Sequence, residues 1–352
     1  MYSDQMSLAD ALATWSGESD ERQALSEIVV ALAEAGVRLS KAIAMAPLEP
    51  PAVTITPSAG EGTNASGDEQ KPMDLYADKV VLDALAGLDV AAFCSEEADE
   101  PVTLRAGGRY VVAVDPVDGS SNLDVNAPVG TIFAILPAVD SEDQMPAILQ
   151  AGNRQLAAGM IVYGPSTVLM LTVGEGTDLY VLDLNTHHFR LARGGIQLPT
   201  EANEYAINAS NARHWGPGIA EYIGDLVRGK SGPREQAFNM RWLASLVAEA
   251  YRILTRGGVF LYPADDRKGY ENGRIRLVYE ANPISFLVTQ AGGKATNGVD
   301  DILDLTPIHL HQRVPLVFGS ATKVDRVRRY LVDPNLQNAS SPLFSSRGLF
   351  RD

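Results

Sequence analysis

The sequence predicts an α/β or α+β layered fold, and three observations predict it. Segments of helical and of strand character alternate along both halves of the chain. Short apolar runs between residues 131 and 191 stand at hairpin spacing, which implies a sheet with antiparallel pairs. Hydrophobic residues make up 45% of the 352 positions, enough to bury a large core in two ordinary domains or one large one.

Gln23 to Met45 places Leu25, Ile28, Val29, Leu32, Val37, Leu39 and Ile43 at helical spacing, which predicts a long amphipathic helix. The segment 47–72 is rich in Pro, Gly, Ser and Thr and reads as a long mobile loop, the kind that serves as a lid or as a plain insertion. Met73 to Leu85 reads as a second helix, and Ala91 to Ser95 as a short buried strand followed at once by Glu96-Glu97. Tyr110 to Val114, Thr131 to Pro137, Ala157 to Tyr163 and Val168 to Thr172 read as strands, with Asp178 to Leu184 and Phe189 to Leu191 as a further pair.

The character changes near Leu198 to Glu204, so we divide the chain into residues 1–200, residues 201–335 and a tail, 336–352. In the second part Tyr205 to Asn208 predicts a strand and Asn239 to Thr255 a periodic helix stopped by Gly257-Gly258. Val259 to Tyr262 and Ile275 to Tyr279 predict strands, the latter ending at Glu280. Asn282 then caps a helix with Pro283 in its first turn. Pro315 to Gly319 predicts the last strand and Lys323 to Leu331 the last helix.

The formal net charge of −15 argues against nucleic acid or an anionic membrane as a partner. No apolar run is long enough to span a bilayer, and Met1 to Gln5 lacks the basic-then-apolar order of a signal peptide, so the cytoplasm is the expected compartment. Cys94 is the single cysteine and has no partner for an internal disulfide. The five His residues lack metal-ligand spacing.

The most informative stretch is Asp115-Pro116-Val117-Asp118-Gly119-Ser120-Ser121-Asn122. Pro116 and Gly119 predict a turn where the strand stops. Gly119, Ser120 and Ser121 are residue types that open a helix and leave backbone N–H groups free for an anion. Carboxylates bind hard divalent cations, so one turn can hold a metal and a phosphate ester together. Glu96-Glu97 and Glu280 stand at two other expected strand ends, where the sites of layered sheets gather. Five such carboxylates could not stay ionised in one place without cations. Mg²⁺ suits an all-oxygen set, and two metals about 3.5–4 Å apart can activate water against a phosphate ester.

Asp115 to Asp124 followed by Val129-Gly130-Thr131-Ile132-Phe133 closely resembles the signature of class 1 fructose-1,6-bisphosphatase. So do Gly258 to Pro263 and Arg276 to Pro283 with Gln290-Ala291-Gly292-Gly293 behind. The resemblance runs in order from about Gly67 to Leu331. The acidic signature alone is shared with the inositol monophosphatase superfamily; the C-terminal motifs are particular to the fructose bisphosphatases. The resemblance implies the sugar phosphatase fold, with alternating helix and mixed-sheet layers. It implies a Mg²⁺-dependent fructose-bisphosphatase with two or three ions per subunit, or Mn²⁺ in their place. Glu96, Asp115, Asp118, Glu280 and the Val117 carbonyl would hold the metal. Glu97 would help activate the attacking water, with Asp68 and Asp74 completing the site when the loop closes. Asp118, Gly119, Ser120 and Ser121 would bind the departing phosphate. Asn208, Tyr262, Arg274 and Arg276 would bind the rest of the sugar bisphosphate, and Arg241 would reach the substrate of a neighbouring subunit in a homotetramer.

Asn211 and Trp242 stand where the family often has Tyr, and Arg274 where Lys is usual. These departures keep phosphate binding in kind and open sugar choice, so sedoheptulose 1,7-bisphosphate competes as an alternative or second substrate. The acidic signature is also compatible with an inositol-phosphate or nucleotide 3′-phosphatase, and with a non-enzymic regulator that binds a phosphometabolite. The pathway would be gluconeogenesis or a carbon-fixation cycle such as the Calvin cycle. The family's AMP-binding turn, of Thr-Gly-Glu-Met-Thr type, is not reproduced in Ser16 to Arg22, although Arg109-Tyr110 resembles the basic-aromatic pair of that site. Weak or absent inhibition by AMP follows.

Overall fold

A computed structural model describes residues 6–51 and 71–333. The described chain opens with helices α1 (Leu8–Ser16), α2 (Asp20–Met45) and α3 (Pro72–Leu85). The side chains of Ser7 and Ser19 accept from the N–H groups of Asp10 and Arg22, so each of the first two helices starts on a serine cap. Next come β1 (Val90–Ser95), β2 (Val102–Thr103), β3 (Tyr110–Asp118), β4 (Val129–Pro137), α4 (Met145–Ile148), β5 (Ala157–Tyr163), β6 (Thr167–Thr172), β7 (Asp178–Asp183) and β8 (His188–Arg193). These strands form an eight-stranded sheet in the order β2-β1-β3-β4-β5-β6-β7-β8, antiparallel throughout except between β1 and β3.

The rest comprises β9 (Glu204–Ala206), α5 (Pro217–Arg228), β10 (Asn239–Met240), α6 (Leu246–Arg256), β11 (Val259–Tyr262), β12 (Ile275–Arg276), α7 (Asn282–Gln290), β13 (Lys294–Thr296), β14 (Arg313–Val314), β15 (Leu316–Gly319) and α8 (Ala321–Val332). A five-stranded mixed sheet runs β10-β9-β11-β15-β13, and β12 pairs separately with β14.

Apolar side chains bind these elements into stacked layers. Leu12, Ile28, Val29 and Leu39 of the first helices pack on Val112, Phe133 and Ile161 of the large sheet. Its other face (Ile132, Met160, Met170) meets Val247 and Ile253 of α6 and Ile284 and Leu287 of α7, which in turn cover Phe260 and Phe318 of the smaller sheet. The outer face of that sheet (Val259, Leu261, Val317) is closed by Ile219 and Tyr222 of α5 and Val324 and Val327 of α8. β3 is buried along its whole length, as expected of a strand covered on both faces.

The structure departs from the sequence expectation at several places. Asp115 and Asp118 lie inside β3, not beyond its end. Asn239–Met240 pairs in parallel with β9, and the helix expected from Asn239 begins only at Leu246, where Ser245 caps it. The strand expected to reach Tyr279 ends at Arg276, and Leu277–Ala281 forms a π-helical turn running into α7. α1, α4 and α5 were not expected; α5 starts on Pro217, a residue suited to a first helical turn. Residues 52–70 of the expected loop, Asp68 among them, and the tail 336–352 lie outside the described residues. No helix of the described residues is long and apolar enough to cross a membrane.

Candidate active site

Residues three apart on a regular strand face opposite sides of the sheet. Asp115 is opposite Ile132 and Asp118 is opposite Gly130, so three residues of β3 advance against two of β4. This one-residue bulge turns both aspartates to the same face. Pro116 sits inside it, where its missing N–H costs the ladder nothing; its carbonyl accepts from Thr131 Oγ1 at 2.8 Å. Gly119, at φ +74°, then redirects the chain into a 3₁₀ helix, Ser120–Val125. The first N–H groups of that turn fall outside its own ladder.

Gly130 has a second role. A Cβ there would stand 2.7 Å from Val247 Cγ2, so the start of α6 reaches β4 only because position 130 has no side chain. The Val247 N–H donates to Asp118 Oδ2 at 3.1 Å, and Asn122 Nδ2 donates to the Ala244 carbonyl at 2.8 Å. The aspartate turn of the large sheet is thus bonded to the arm, residues 241–245, that leads from the edge of the smaller one.

Glu280 is delivered by the π turn rather than by a strand end, and its Oε2 accepts from the Arg276 N–H at 2.5 Å. One carboxylate oxygen from each of Asp115, Asp118 and Glu280 lies within 4.8 Å of the others. Glu96 follows β1, with its N–H bonded to the Val114 carbonyl at 3.0 Å. Its Oε1 pairs with Arg276 Nη1 at 3.0 Å, and its carboxyl also bonds that of Asp115. Glu97, half-buried, comes next and donates its N–H to Ser95 Oγ at 3.2 Å. α3 lies alongside: Asp74 bonds the Ser120 side chain and the Lys71 N–H, and Asp78 bonds the Ser95 side chain. Val117 is buried and donates its N–H to Asp115 Oδ1 at 3.1 Å.

Burial, and then mutual repulsion, push these acids up. Burial and the Glu280 charge raise Glu96 to about 8 and Asp118 to about 7, and burial with Glu96 and Asp118 raises Asp115 well above the usual range. Burial raises Asp74 and Asp78 too. Glu96 Oε2, Asp74 Oδ1 and Asp78 Oδ1 are buried without a hydrogen-bond partner among the described residues. Buried oxygens of this kind, in an all-carboxylate set, fit a hard divalent cation better than they fit one another. The Cys94 thiol is not part of this set; it faces Tyr279 Oη at 3.1 Å, and burial pushes it up to about 12.

The other expected contacts sort into two groups. Asn208 and Tyr262 line one small recess with Asn211, Trp215 and Asp265; Asn208 Oδ1 accepts from Ser210 N and Oγ. Trp242 stacks on Phe260 at 6.0 Å and leans on Tyr262 at 6.2 Å. Arg241 donates its N–H to the Tyr205 carbonyl, and its half-exposed side chain stands 4.0 Å from Glu204. Arg274 stacks over Tyr270 at 4.5 Å, whereas Arg276 is buried and pairs with Glu96.

The family model for the N-terminal domain of fructose-1-6-bisphosphatase matches residues 12–194, and that for its C-terminal domain matches residues 198–332. The chain belongs to the fructose-1,6-bisphosphatase family. A class 1 fructose-1,6-bisphosphatase of Sinorhizobium medicae is 52% identical over 93% of both chains. One of Rhizobium meliloti is 54% identical over 82% of this chain and 84% of its own. The crystal structure of Leishmania major fructose-1,6-bisphosphatase in holo form has a TM-score of 0.83 and 30% identity, covering 93% of this chain and 98% of that one. As a fructose-1,6-bisphosphatase the chain is a hydrolase of a generally metal-dependent family, and its acidic cluster could hold such a metal.

Sequence reasoning missed three contributors. The Val247 N–H on Asp118 carries no side-chain signal. Asp78 could have been found, because it stands four residues from Asp74 and so shares its helix face. Lys71 Nζ, 3.3 Å from the Ser120 carbonyl and 2.6 Å from Asp124, props the same turn.

Proposed function

We propose that this chain removes the 1-phosphate of fructose 1,6-bisphosphate, giving fructose 6-phosphate and inorganic phosphate, with Mg²⁺ as its cation. The convergence of Asp115, Asp118 and Glu280 within 4.8 Å carries the reading. Glu96, Asp115, Asp118, Glu280 and the Val117 carbonyl would hold two or three ions, with Mn²⁺ able to replace them. Bound there, the cations supply Lewis-acid polarisation of the phosphoryl oxygens and a lowered pKa for water. Glu97 takes the proton from the attacking water. The Gly119 to Ser121 amides hold the phosphoryl oxygens as charge develops on them. Asp74 would complete the site together with Asp68, which lies outside the described residues. Asn208, Tyr262, Arg274 and Arg276 orient the sugar and its second phosphate, and Arg241 does so across a subunit boundary of a cytoplasmic homotetramer.

A second reading adds sedoheptulose 1,7-bisphosphate as substrate. Asn211 favours it, because it lines the recess beside Asn208 and Tyr262 with a shorter side chain than the tyrosine often found there. Phosphate release across a panel of sugar bisphosphates, an inositol phosphate and a nucleotide 3′-phosphate tests both. Turnover on fructose 1,6-bisphosphate well above the last two supports the proposal, and preference for either of those refutes it. The ratio of the two sugar bisphosphates decides the second reading.

A further inference from the structure

A cavity of about 640 Å³ opens between Glu201–Asn203, the loop 233–236 and the last turns of α8. It shares no residue with the acid pocket, and its size suits a small metabolite. Arg234, Arg326 and Arg329 line it, against Glu201 as the one acid among its lining residues. Behind Arg234, Lys323 is almost wholly buried, and both cations stand over the Phe238 ring, with Arg234 Cζ at 5.2 Å and Lys323 Nζ at 4.9 Å. Lys323 pairs with Glu201 at 3.0 Å, so the carboxylate is already committed. Arg234 Nη1 is buried with no hydrogen-bond partner among the described residues, and so is the Tyr222 hydroxyl in the layer behind. Burial first, then the Arg326 charge, makes the Arg234 cation harder to keep; burial does the same to Lys323.

A chain of net charge −15 thus concentrates cations that repel one another around an open cavity. A buried guanidinium nitrogen without a partner is costly unless an anion completes it. Arginine forks match phosphate oxygens in pairs. We propose that this cavity is a second anion site, separate from the acid pocket, that binds inorganic phosphate or a small phosphate monoester.

The test is calorimetric titration of inorganic phosphate into the chelator-treated full chain at constant ionic strength. We expect saturable binding that weakens about tenfold or more in Arg326→Gln and in Arg234→Gln, about 1.4 kcal/mol per tenfold. Binding should be unchanged in Asp118→Asn. Arg329→Gln, altering an exposed side chain, keeps the test open should Arg234→Gln fail to fold. Glycerol 3-phosphate as competitor separates an ester site from one for the free ion. Absence of saturable binding, equal affinity in the arginine variants, or loss of binding in Asp118→Asn would each overturn the proposal.

Discussion

The acid pocket and the recess beside Tyr262 are held in different ways. The pocket is backbone-built: a bulge aims Asp115 and Asp118, a π turn brings Glu280, and main-chain N–H groups of Val117, Val247 and Arg276 each donate to one of these carboxylates. Its carboxylates are buried and repel one another. The recess and the two arginines expected to serve the sugar are held by side-chain contacts instead. Asn208 in the recess is bonded to Ser210, Arg241 is half-exposed, and Arg274 rests on Tyr270. The difference teaches a division of labour. In the proposed reaction, the groups that would meet cations and developing charge are fixed before the substrate arrives, since preorganisation is what makes electrostatic stabilisation effective. The groups that would meet the sugar keep room to adjust.

The comparison breaks first at Asp118. Asp118→Asn keeps the size and an oxygen for the Val247 N–H while removing the charge. Turnover should fall by about 10³-fold or more, with the fold retained by thermal melting. Activity within tenfold of the parent would show that the buried charge is not what the site uses. Arg241→Ala probes the adjustable side. KM should rise about tenfold while kcat changes little, the pattern of a lost charged contact made equally before and during reaction. A fall in kcat at constant KM would place Arg241 on the reacting side of the comparison.

Stability against pH sharpens it further. Asp118 and Glu96 are raised from 3.8 and 4.5 to about 7 and about 8. Without cations the folded chain therefore holds more protons than the unfolded one. The stability these groups contribute is fully present below about pH 4 and is lost as pH rises through 7 to 8. Melting of the chelator-treated chain should drop by about 2–4 °C or more between pH 6 and 8.5. Added Mg²⁺ should raise it most at the higher pH, because the ion binds the deprotonated acids. A melting point that rises with pH without metal would contradict the buried acids.

The smallest effect is expected from AMP. Arg109 is already paired with Asp89 and Asp20, and the Tyr110 hydroxyl donates to the Glu21 carbonyl at 2.6 Å. Millimolar AMP should leave turnover unchanged; clear inhibition would mean that this cluster opens.

The same contrast explains what could be read in the sequence. Asp115 to Ser121 was legible because residue types and spacing there are local. How the two aspartates come to one face was not, since a bulge depends on the partner strand. Val278 and Tyr279 are apolar and buried on all sides, so they read as strand; packing and the Arg276–Glu280 bond make the turn instead. The pattern of Trp242, Leu243, Leu246 and Val247 continued a helical period backwards, but Asn239 and Met240 pair with the edge of β9 instead. That Glu96, Asp115 and Glu280 share one pocket could be expected from their places at strand ends and from the family resemblance, but not the geometry of their meeting, because three distant segments must fold before they meet.

Phosphate release from fructose 1,6-bisphosphate, followed as metal is withdrawn and returned, tests the central claim most directly. The account predicts no release with chelator and full recovery on adding Mg²⁺, with the recovery lost in Asp118→Asn. Release that persists in the chelator-treated chain would contradict it.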